Sequence, residues 1–406
     1  MERQVVAHNE RVSARRGRSF LQIPGPTNVP DRVLRAMDRP VIDHRGPEFA
    51  ALVTSILLDL KRVFQTTEGA IIVYPSSGTG AWEASLVNTL SPGDRVLAFD
   101  VGHFSALFTR TARNLGMVVD EVPGRWGAPV SPADVESRLR ADRDRRIRAI
   151  LVVHNETSTG ARSDIAAIRR AMDAAAHDAL LIVDTVSSLG SMDFRVDDWR
   201  VDVALTGSQK GLMLPPGLGL VCAGPRALAA GERAMSPRSF FDWRPILHDN
   251  VSGFYPYTPA TNMLYALREA LDMLFEEGLD EVFARHHRLA EAVRAAVRGW
   301  RLEILCDDPR AYSDSLTAVV VPDGVDSDAV IRRARDRFDL SLGVGLGTLK
   351  GRIFRIGHLG ALNQLEIAAT IAGTEMALAE CGVDVELGSG VAAVERSFSQ
   401  VAVSAL

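Results

Sequence analysis

Lysine is scarce in this chain, and one lysine stands where an amine is able to do chemistry. Only three of the 46 basic residues are lysines, Lys61, Lys210 and Lys350, and the rest are arginines. A guanidinium stays protonated and cannot act as an amine nucleophile, so a retained lysine is a candidate for covalent or proton-transfer chemistry. Lys61 and Lys350 lie in stretches expected to be solvated, whereas Lys210 follows an apolar run in Thr206-Gly-Ser-Gln-Lys-Gly211. The alternative is that the position of Lys210 is a matter of chance.

An acidic residue ends the preceding apolar run, Leu181-Ile-Val-Asp184. Open α/β sheets bind ligands beyond the carboxyl ends of their parallel strands, which is where this run places the Asp184 carboxylate. An ionised carboxylate facing a pyridine nitrogen keeps that nitrogen protonated and so maintains an electron sink, as pyridoxal phosphate chemistry requires. Alternatively, Asp184 caps the following turn through Ser187 or Ser188.

A glycine-rich turn, Pro75-Ser-Ser-Gly-Thr-Gly80, separates an apolar run from a helical stretch at 81–90. Such a turn exposes backbone amides at the positive end of a helix, where the hydroxyls of Ser76, Ser77 and Thr79 add donors to one phosphate group. The spacing is neither that of a dinucleotide-binding loop nor that of a Walker A loop. A plain capped turn is the alternative. Because this turn, the carboxylate and the amine fall at equivalent strand ends, their joint occurrence is more specific than any one of them.

The stretch Val152-Val-His-Asn-Glu-Thr-Ser-Thr-Gly160 also follows a predicted strand. It offers His154, Asn155 and Thr157 to the polar edge of a ligand. Alternatively, His154 and Glu156 satisfy neighbouring backbone groups.

An arginine pair lies in Arg352-Ile-Phe-Arg-Ile-Gly-His358. Alternation along a strand turns Arg352 and Arg355 to opposite faces, so one of them faces inward. A bidentate guanidinium is the natural partner of an α-carboxylate. The alternative, a solvated arginine, is common in so arginine-rich a chain.

The elements that position these residues follow a repeating pattern of short apolar runs and helical stretches. The runs are 70–74, 95–99, 147–153, 180–183, 201–205 and 218–221. Because they are continuously apolar rather than alternating, they predict strands buried on both faces, hence a mainly parallel sheet between layers of helices. The fold class is therefore α/β.

A change of texture after Pro259 predicts a second, smaller α+β domain. Helical stretches at 261–275 and 279–300 lead into strand candidates at 316–321 and 351–356 and further helices at 327–338 and 363–379. We predict a flexible tail at 1–22, a large ligand-binding domain at 23–260, a small domain at 261–390 and a C-terminal extension at 391–406.

Composition excludes several classes of protein. The 406 residues carry a net charge of −5, which lacks the electrostatic signature of a nucleic-acid binder. No apolar run approaches the ~18 residues that a membrane-spanning helix needs. The three cysteines, Cys222, Cys306 and Cys381, share no metal-ligand spacing and form an odd set, so neither a metal site nor a disulfide framework is predicted. A cytoplasmic location fits best, and the arginine-rich N-terminus reads as a tail rather than a signal peptide.

An ordered set of motifs resembles the class V pyridoxal phosphate (PLP) aminotransferases of fold type I, and among these the serine, alanine and aspartate–glyoxylate enzymes. The resemblance runs from Ile23 to about Gly390. The matching stretches are Pro24-Gly-Pro-Thr-Asn28, Asp43-His-Arg45, Ser77-Gly-Thr79, His154-Asn-Glu-Thr-Ser-Thr-Gly160, Val183-Asp-Thr-Val186, Gly207-Ser-Gln-Lys-Gly211, Pro215-Pro-Gly-Leu218, Tyr255-Pro-Tyr-Thr258 and Arg355-Ile-Gly-His-Leu-Gly360.

The resemblance implies a role for each matching residue. Lys210 would bind the cofactor covalently, and Asp184 would pair with its pyridine nitrogen. At the cofactor phosphate, the resemblance implies contacts from Ser77, Gly78, Thr79 and Gln209, and from Tyr255 and Thr258 of a partner subunit. At the ring, it implies Thr157 beside the hydroxyl and Val186 and Phe104 against the ring itself. Relatives often stack a tryptophan in the place of Phe104. The residues expected to receive the substrate are Gly25, Asn28 and Arg355, with Arg45 available to a second carboxylate.

The function predicted on this basis is amino transfer from a small L-amino acid, serine, alanine or aspartate, to glyoxylate, by a cytoplasmic homodimer with shared active sites. Two alternatives remain open. One is another reaction on the same cofactor, such as a cysteine desulfurase or a lyase. The other is a non-catalytic binding protein that has kept the fold.

Overall fold

The computed structural model describes residues 19–403. Its strands are β1 (Phe20–Gln22), β2 (Ala70–Pro75), β3 (Arg95–Asp100), β4 (Val118–Pro123), β5 (Ile147–Val153), β6 (Asn155–Glu156), β7 (Ala161–Arg162), β8 (Leu180–Asp184), β9 (Val203–Gly207), β10 (Leu218–Ala223), β11 (Glu303–Ile304), β12 (Leu316–Val320), β13 (Leu340–Val344) and β14 (Ile353–Gly357). Its helices are α1 (Asp31–Met37), α2 (Pro47–Val63), α3 (Gly78–Thr89), α4 (His103–Asn114), α5 (Pro132–Ala141), α6 (Ile165–Ala174), α7 (Pro225–Gly231), α8 (Trp243–Asn250), α9 (Thr261–Glu277), α10 (Leu279–Gly299), α11 (Ser327–Phe338), α12 (Gln364–Glu380) and α13 (Ser389–Val403).

Seven strands form the larger sheet, in the order β2-β10-β9-β8-β5-β3-β4. Only β10 runs against its neighbours, so the sheet is mainly parallel, as the continuous apolar runs predict. Alternate residues of each strand enter two separate apolar cores: Leu181 and Val183 of β8 lie in one, and Leu180 and Ile182 in the other. Burial on both faces explains why these strands are apolar throughout.

A second sheet holds the C-terminal strands in the order β1-β13-β14-β12-β11. Helices α10 to α13 cover it, and their apolar side chains share one core with Phe354 and Ile356 of β14. This sheet is the α+β unit that the change of texture after Pro259 predicts.

Two details of the predicted domain division are wrong. The end of the predicted tail, Phe20–Gln22, is a strand that pairs in parallel with β13, because its backbone completes the edge of the second sheet. Residues 1–18 of that tail lie outside the described residues. The predicted extension at 391–406 is instead helical as far as Val403, and α13 packs on α10 and α12 through Val394. The division near residue 260 stays a proposal, and α9 begins at Thr261.

Among the described residues, no helix is both long and apolar enough to cross a membrane.

Candidate active site

The carboxyl ends of five strands of the large sheet meet at one cavity of about 230 Å³. Loops after β2, β3, β5, β8 and β9 supply most of its wall, which is the expected ligand position in an open α/β sheet. The lining residues are Gly25, Pro26, Ser77, Gly78, Thr79, Trp82, Phe104, Val153, Asn155, Thr157, Asp184, Val186, Gln209 and Lys210. Most of the residues predicted to contact a ligand are therefore brought together in one place.

Lys210 follows β9 and is buried beneath the segment that leaves β1. Its Nζ donates a hydrogen bond to the Pro24 carbonyl. Gly25 crosses directly over the side chain with φ +101°, a backbone conformation that favours glycine, and a Cβ at this position would displace the end of the Lys210 side chain. Burial, as the main cause, and the Arg355 cation together lower the pKa of Lys210 to about 8, while Asp184 opposes both. About a tenth of the amine is therefore neutral, and nucleophilic, at pH 7.

Asp184 ends β8 and is 3% exposed. Its Oδ1 accepts a hydrogen bond from the Val186 amide at 2.7 Å, and its Oδ2 accepts one from Trp82 Nε1 at 2.7 Å. Burial nevertheless raises the pKa of this carboxyl to about 7, against the effect of both donors. A cation bound in the cavity beside Asp184 would favour the ionised form.

The N-terminus of α3 forms the end of the cavity suited to an anion. Ser77 caps the helix, since its Oγ accepts from the Gly80 amide at 3.3 Å. A Cβ on Gly78 would lie 2.7 Å from Val186 Cγ2, so the absence of a side chain lets the first turn approach β8. The first amides of a helix have no partner within it and favour a bound anion.

Two buried acceptors in the cavity wall lack a hydrogen-bond partner, Gln209 Oε1 and Asn155 Oδ1. Asn155 Nδ2 donates to Ser187 Oγ at 2.8 Å, and Thr157 Oγ1 donates to the same oxygen at 2.7 Å. An unpaired buried acceptor is costly, so these atoms fit a ligand that brings donors. The wall thus offers an amine, a carboxylate, an anion-binding helix end and unpaired acceptors, which is the set of partners that PLP requires.

Phe104 lies in the first turn of α4, and Glu156 holds that turn against the cavity. The Glu156 carboxylate accepts hydrogen bonds from the Ser105 amide at 2.9 Å, the Phe104 amide at 3.3 Å and the Ser158 amide at 3.0 Å. A carboxylate at a helix N-terminus is stabilised by the helix dipole. Glu156 therefore fixes the position of the aromatic ring that borders the cavity.

Arg355 is the inward member of the arginine pair, whereas Arg352 is exposed. Its Nη1 donates to the Thr157 carbonyl at 2.6 Å and its Nε to the Val344 carbonyl at 2.9 Å. Burial lowers its pKa to about 10, so the group stays charged at neutral pH. Arg355 does not line the cavity itself but contacts Thr157, which does. A guanidinium has five N–H donors, so others remain for a carboxylate.

Besides Arg355, four predicted site residues do not line this cavity within the described chain. Asn28 donates from Nδ2 to the Leu21 carbonyl at 3.2 Å and borders a different surface cleft with Arg32. Arg45 and Thr258 are exposed, and Tyr255 packs its ring against Phe49 at 6.4 Å. The predicted contribution of Tyr255 and Thr258 to a partner's site stays a prediction.

His154 takes the structural role that the sequence left open. Its Nδ1 lies 2.9 Å from Ser188 Oγ, and its ring packs on Phe194 and Trp199. Burial lowers its pKa to about 3, so it is a neutral core residue.

Pro26, Trp82, Val153 and Asn155 are the lining residues that the predicted site omits. Asn155 stands in the stretch already singled out as a polar edge, and Trp82 lies one helical turn beyond the phosphate turn. In an α-helix residues three and four apart share a face, so that spacing is a usable signal.

The three cysteines are all remote from this cavity. Cys222 is buried in β10, Cys306 is buried in the small domain, and Cys381 follows α12. Burial raises the pKa of the Cys222 and Cys306 thiols, which disfavours the reactive thiolate. Among the described residues, no group of three histidines, cysteines or acids is placed to hold a metal ion.

A mainly parallel sheet with a lysine, a carboxylate and a helix N-terminus at its carboxyl edge is the cofactor-binding arrangement of fold type I. The family model for class V aminotransferases matches residues 19–338. The chain is 49% identical to serine–glyoxylate aminotransferase of Methylorubrum extorquens over 384 residues, which is 93% of this chain and 96% of that protein. It is 47% identical to L-aspartate–glyoxylate aminotransferase of Paracoccus denitrificans over 383 residues, 94% of this chain and 97% of the relative.

Solved structures agree with this assignment. Ureidoglycine–glyoxylate aminotransferase of Bacillus subtilis superposes with a TM-score of 0.87 at 28% identity, covering 94% of this chain and 98% of that structure. The chain belongs to the class V aminotransferase family and has the fold of the type I PLP-dependent enzymes.

Proposed function

We propose that this chain is a PLP-dependent aminotransferase that moves the amino group of a small L-amino acid to glyoxylate. The observation that carries the proposal is the convergence of a buried amine, a buried carboxylate and a helix N-terminus on one cavity. When bound, PLP supplies an aldehyde that takes up an amino group and a pyridine ring that withdraws electrons from the reacting carbon.

Each residue of the cavity has a role in this proposal. The first amides of α3, with the Ser77 and Thr79 hydroxyls, bind the phosphate. Asp184 keeps the proton on the pyridine nitrogen, because an ionised carboxylate stabilises the cation beside it. Phe104 and Val186 would border the ring, Gln209 would donate to the phosphate from its amide nitrogen, and Asn155 Oδ1 would accept from a donor that the ligand brings.

Lys210 serves as both nucleophile and base. With PLP bound, Lys210 would hold the cofactor at its aldehyde carbon, and its neutral amine, once free, would take up the proton from the substrate Cα. The lowered pKa of about 8 supports this role, since a base works best when its pKa lies near the working pH. Arg355 binds the carboxylate that donor and acceptor have in common.

Glyoxylate is proposed as the acceptor because the site offers one carboxylate partner. No arginine lines the cavity of the described chain, and Arg355 stands alone behind its wall. A longer dicarboxylic acceptor would leave its distal carboxylate unpaired, which is unfavourable in a buried site. The relatives that act on glyoxylate, by their names, support the same choice.

A cysteine desulfurase is disfavoured because such an enzyme needs a reactive thiol at the cofactor. The remote position of Cys222, Cys306 and Cys381 counts against it.

We also propose that the protein acts as a homodimer in the cytoplasm. Val41 and Val251 are 74% and 89% exposed on the same part of the chain as Arg45 and Thr258. Exposed apolar side chains beside residues expected to complete a neighbour's site support a second copy on this face.

The acceptor is tested by measuring kcat/KM for glyoxylate, pyruvate and 2-oxoglutarate against serine, alanine and aspartate. We expect glyoxylate to exceed 2-oxoglutarate by about ten-fold or more, the cost of one unpaired charged group. Arg45 lies outside its own chain's cavity, and we propose that it reaches the site of a second copy. Arg45→Ala should then reduce the use of aspartate more than that of serine, because only aspartate carries a second carboxylate. The control is Arg352→Ala, because Arg352 is exposed and directly precedes β14. A preference for 2-oxoglutarate would overturn the glyoxylate assignment and leave amino transfer standing.

A further inference from the structure

Trp82 occupies the second turn of α3, the helix whose first turn forms the anion-binding end of the cavity. Its side chain is 4% exposed and lines the cavity. The indole stacks on Phe108 of α4, with ring centroids 5.3 Å apart and an angle of 15° between the planes. The stack fixes the plane of the indole and hence the direction of its N–H.

That N–H points at the one acid among the residues lining the cavity. Trp82 Nε1 donates to Asp184 Oδ2 at 2.7 Å, while the Val186 amide donates to Oδ1 at 2.7 Å. Each oxygen of the carboxylate thus has its own donor, one from α3 and one from the loop after β8. Two donors on different oxygens fix the rotation of a carboxylate as well as its position.

An apolar ring would fill this space and stack on Phe108 equally well. A buried tryptophan needs a partner for its N–H, and a backbone carbonyl serves that need without involving a charge. Here the partner is an ionisable group whose charged form is opposed by burial. A charge-assisted hydrogen bond is about twice as strong as a neutral one, and it stabilises only the ionised carboxylate.

We propose that Trp82 is a positioning residue that acts through Asp184. It holds Oδ2 and favours the ionised form, so that Asp184 presents its remaining lone pairs to the ring nitrogen of the cofactor. Lys210 supports the ionised form and Glu156 opposes it, and Trp82 adds the directional contact that neither provides. This inference rests on the proposed function, since it concerns the bond between Asp184 and PLP.

The test compares the binding of two compounds to the full chain. One is PLP, and the other is its 1-deaza analogue, in which C–H replaces the ring nitrogen. Both carry the same phosphate, aldehyde and hydroxyl, so the ratio of their dissociation constants reports the contact between Asp184 and the nitrogen. We expect wild type to prefer PLP, and Trp82→Phe to narrow that preference by about ten-fold, the effect of one hydrogen bond to a charged group.

Trp300→Phe is the matched control. Trp300 is 1% exposed, and its Nε1 donates to Glu375 Oε2 at 2.8 Å in the core of the small domain. The substitution deletes the same kind of hydrogen bond from an equally buried site outside the cavity. We expect it to lower thermal stability, as Trp82→Phe does, while leaving the preference for PLP at the wild-type value. Trp82→Leu repeats the comparison with a strong helix former should the phenylalanine variant fail to fold.

The outcomes separate this inference from the proposed function. If wild type prefers PLP and the Trp82 variants keep the full preference, the positioning role is overturned and the cofactor assignment stands. An equal narrowing in Trp300→Phe also overturns it, because the effect would then be one of general stability. If wild type binds neither compound, both the proposed function and this inference fail.

Discussion

Lys210 and Asp184 are ionisable groups that burial drives toward their neutral forms. The pKa of Lys210 falls to about 8, and that of Asp184 rises to about 7. A neutral amine is the reactive form of the first residue, whereas the second needs a charge. A cation bound beside Asp184 therefore favours its ionised form, which burial in the protein alone opposes.

We expect this burial to appear in the stability of the cofactor-free chain. The pKa of Asp184 lies at about 7 in the folded state against 3.8 ordinarily, so the folded state retains a proton that the unfolded state has lost. The contribution of Asp184 to stability is therefore present at low pH and is lost as the pH rises from about 4 to 7. Asp184→Asn removes that dependence.

The measurement is the free energy of unfolding of both forms between pH 4 and pH 8. The difference, variant minus wild type, should grow with pH by on the order of 3 kcal/mol. Asp202→Asn is the comparison at a second buried carboxyl, because Asp202 is 4% exposed, does not line the cavity and is paired with Arg226, so that burial raises its pKa against the effect of that cation. A difference for Asp184→Asn that stays constant over this range would show that Asp184 is already ionised in the folded protein.

For single residues, the sequence predicted well which side chains lie at the carboxyl ends of strands. Lys210, Asp184, Thr157 and Ser77 each follow an apolar run, and the run alone gives their edge of the sheet. It could not predict the bond between Trp82 and Asp184, because that contact joins residues on different elements and depends on the rotation of an indole. For the same reason the sequence could not predict that the Asn28 amide donates to the Leu21 carbonyl, a contact that no local pattern records.

Helix α3 combines a structural start signal with a binding function. Ser77 caps the helix through the Gly80 amide and also stands at the anion-binding end of the cavity. Ser131 caps α5 in the same way, through the Asp134 amide at 3.2 Å, on a helix that does not border the cavity. Comparing substitutions of the two serines therefore distinguishes the loss of a helix cap from the loss of a ligand contact.

Ser77→Ala and Ser131→Ala should each cost about 1 kcal/mol of stability, the usual price of a lost helix cap. Only Ser77→Ala should weaken the binding of PLP, and it should leave the binding of pyridoxal, which lacks the phosphate, almost unchanged. Titration of each variant with both compounds measures this. Equal weakening of pyridoxal and PLP by Ser77→Ala would remove Ser77 from the phosphate site.

Elements with continuous apolar runs were predictable, and those defined by a distant partner were not. Strands β2, β3, β5 and β8 follow from their composition alone. Strand β1 has three residues and exists because β13 lies beside it, more than three hundred residues along the chain. The antiparallel direction of β10 likewise reflects the path of the connection from β9 rather than any residue within it.

The two sheets are joined at the site by the segment that leaves β1. β1 pairs with β13, and five residues after Gln22 the Thr27 amide donates to the Gln209 carbonyl at 3.1 Å. Between these points Pro24 and Gly25 cover Lys210. A few residues of backbone therefore connect the small sheet to the loop that carries Lys210 and fix their relative position.

In the proposed homodimer, Tyr255 and Thr258 of one chain reach the phosphate site of the other. Mixing inactive Lys210→Ala chains with inactive Tyr255→Ala/Thr258→Ala chains then puts both lesions into one site of each mixed dimer and leaves the other site intact. Random pairing should restore about a quarter of wild-type activity, since half of the dimers are mixed and each has one good site. Mixed dimers that form without recovering activity would place both residues in their own chain's site.

The central claim is that nitrogen passes from an amino acid to glyoxylate without being released. Incubating the full chain with PLP, ¹⁵N-labelled L-serine and unlabelled glyoxylate tests it directly. We predict that the label appears in glycine, with one hydroxypyruvate formed for each labelled glycine, and that Lys210→Ala abolishes both products. Release of the label as ammonia, or no labelled glycine from serine, alanine or aspartate, would contradict the account.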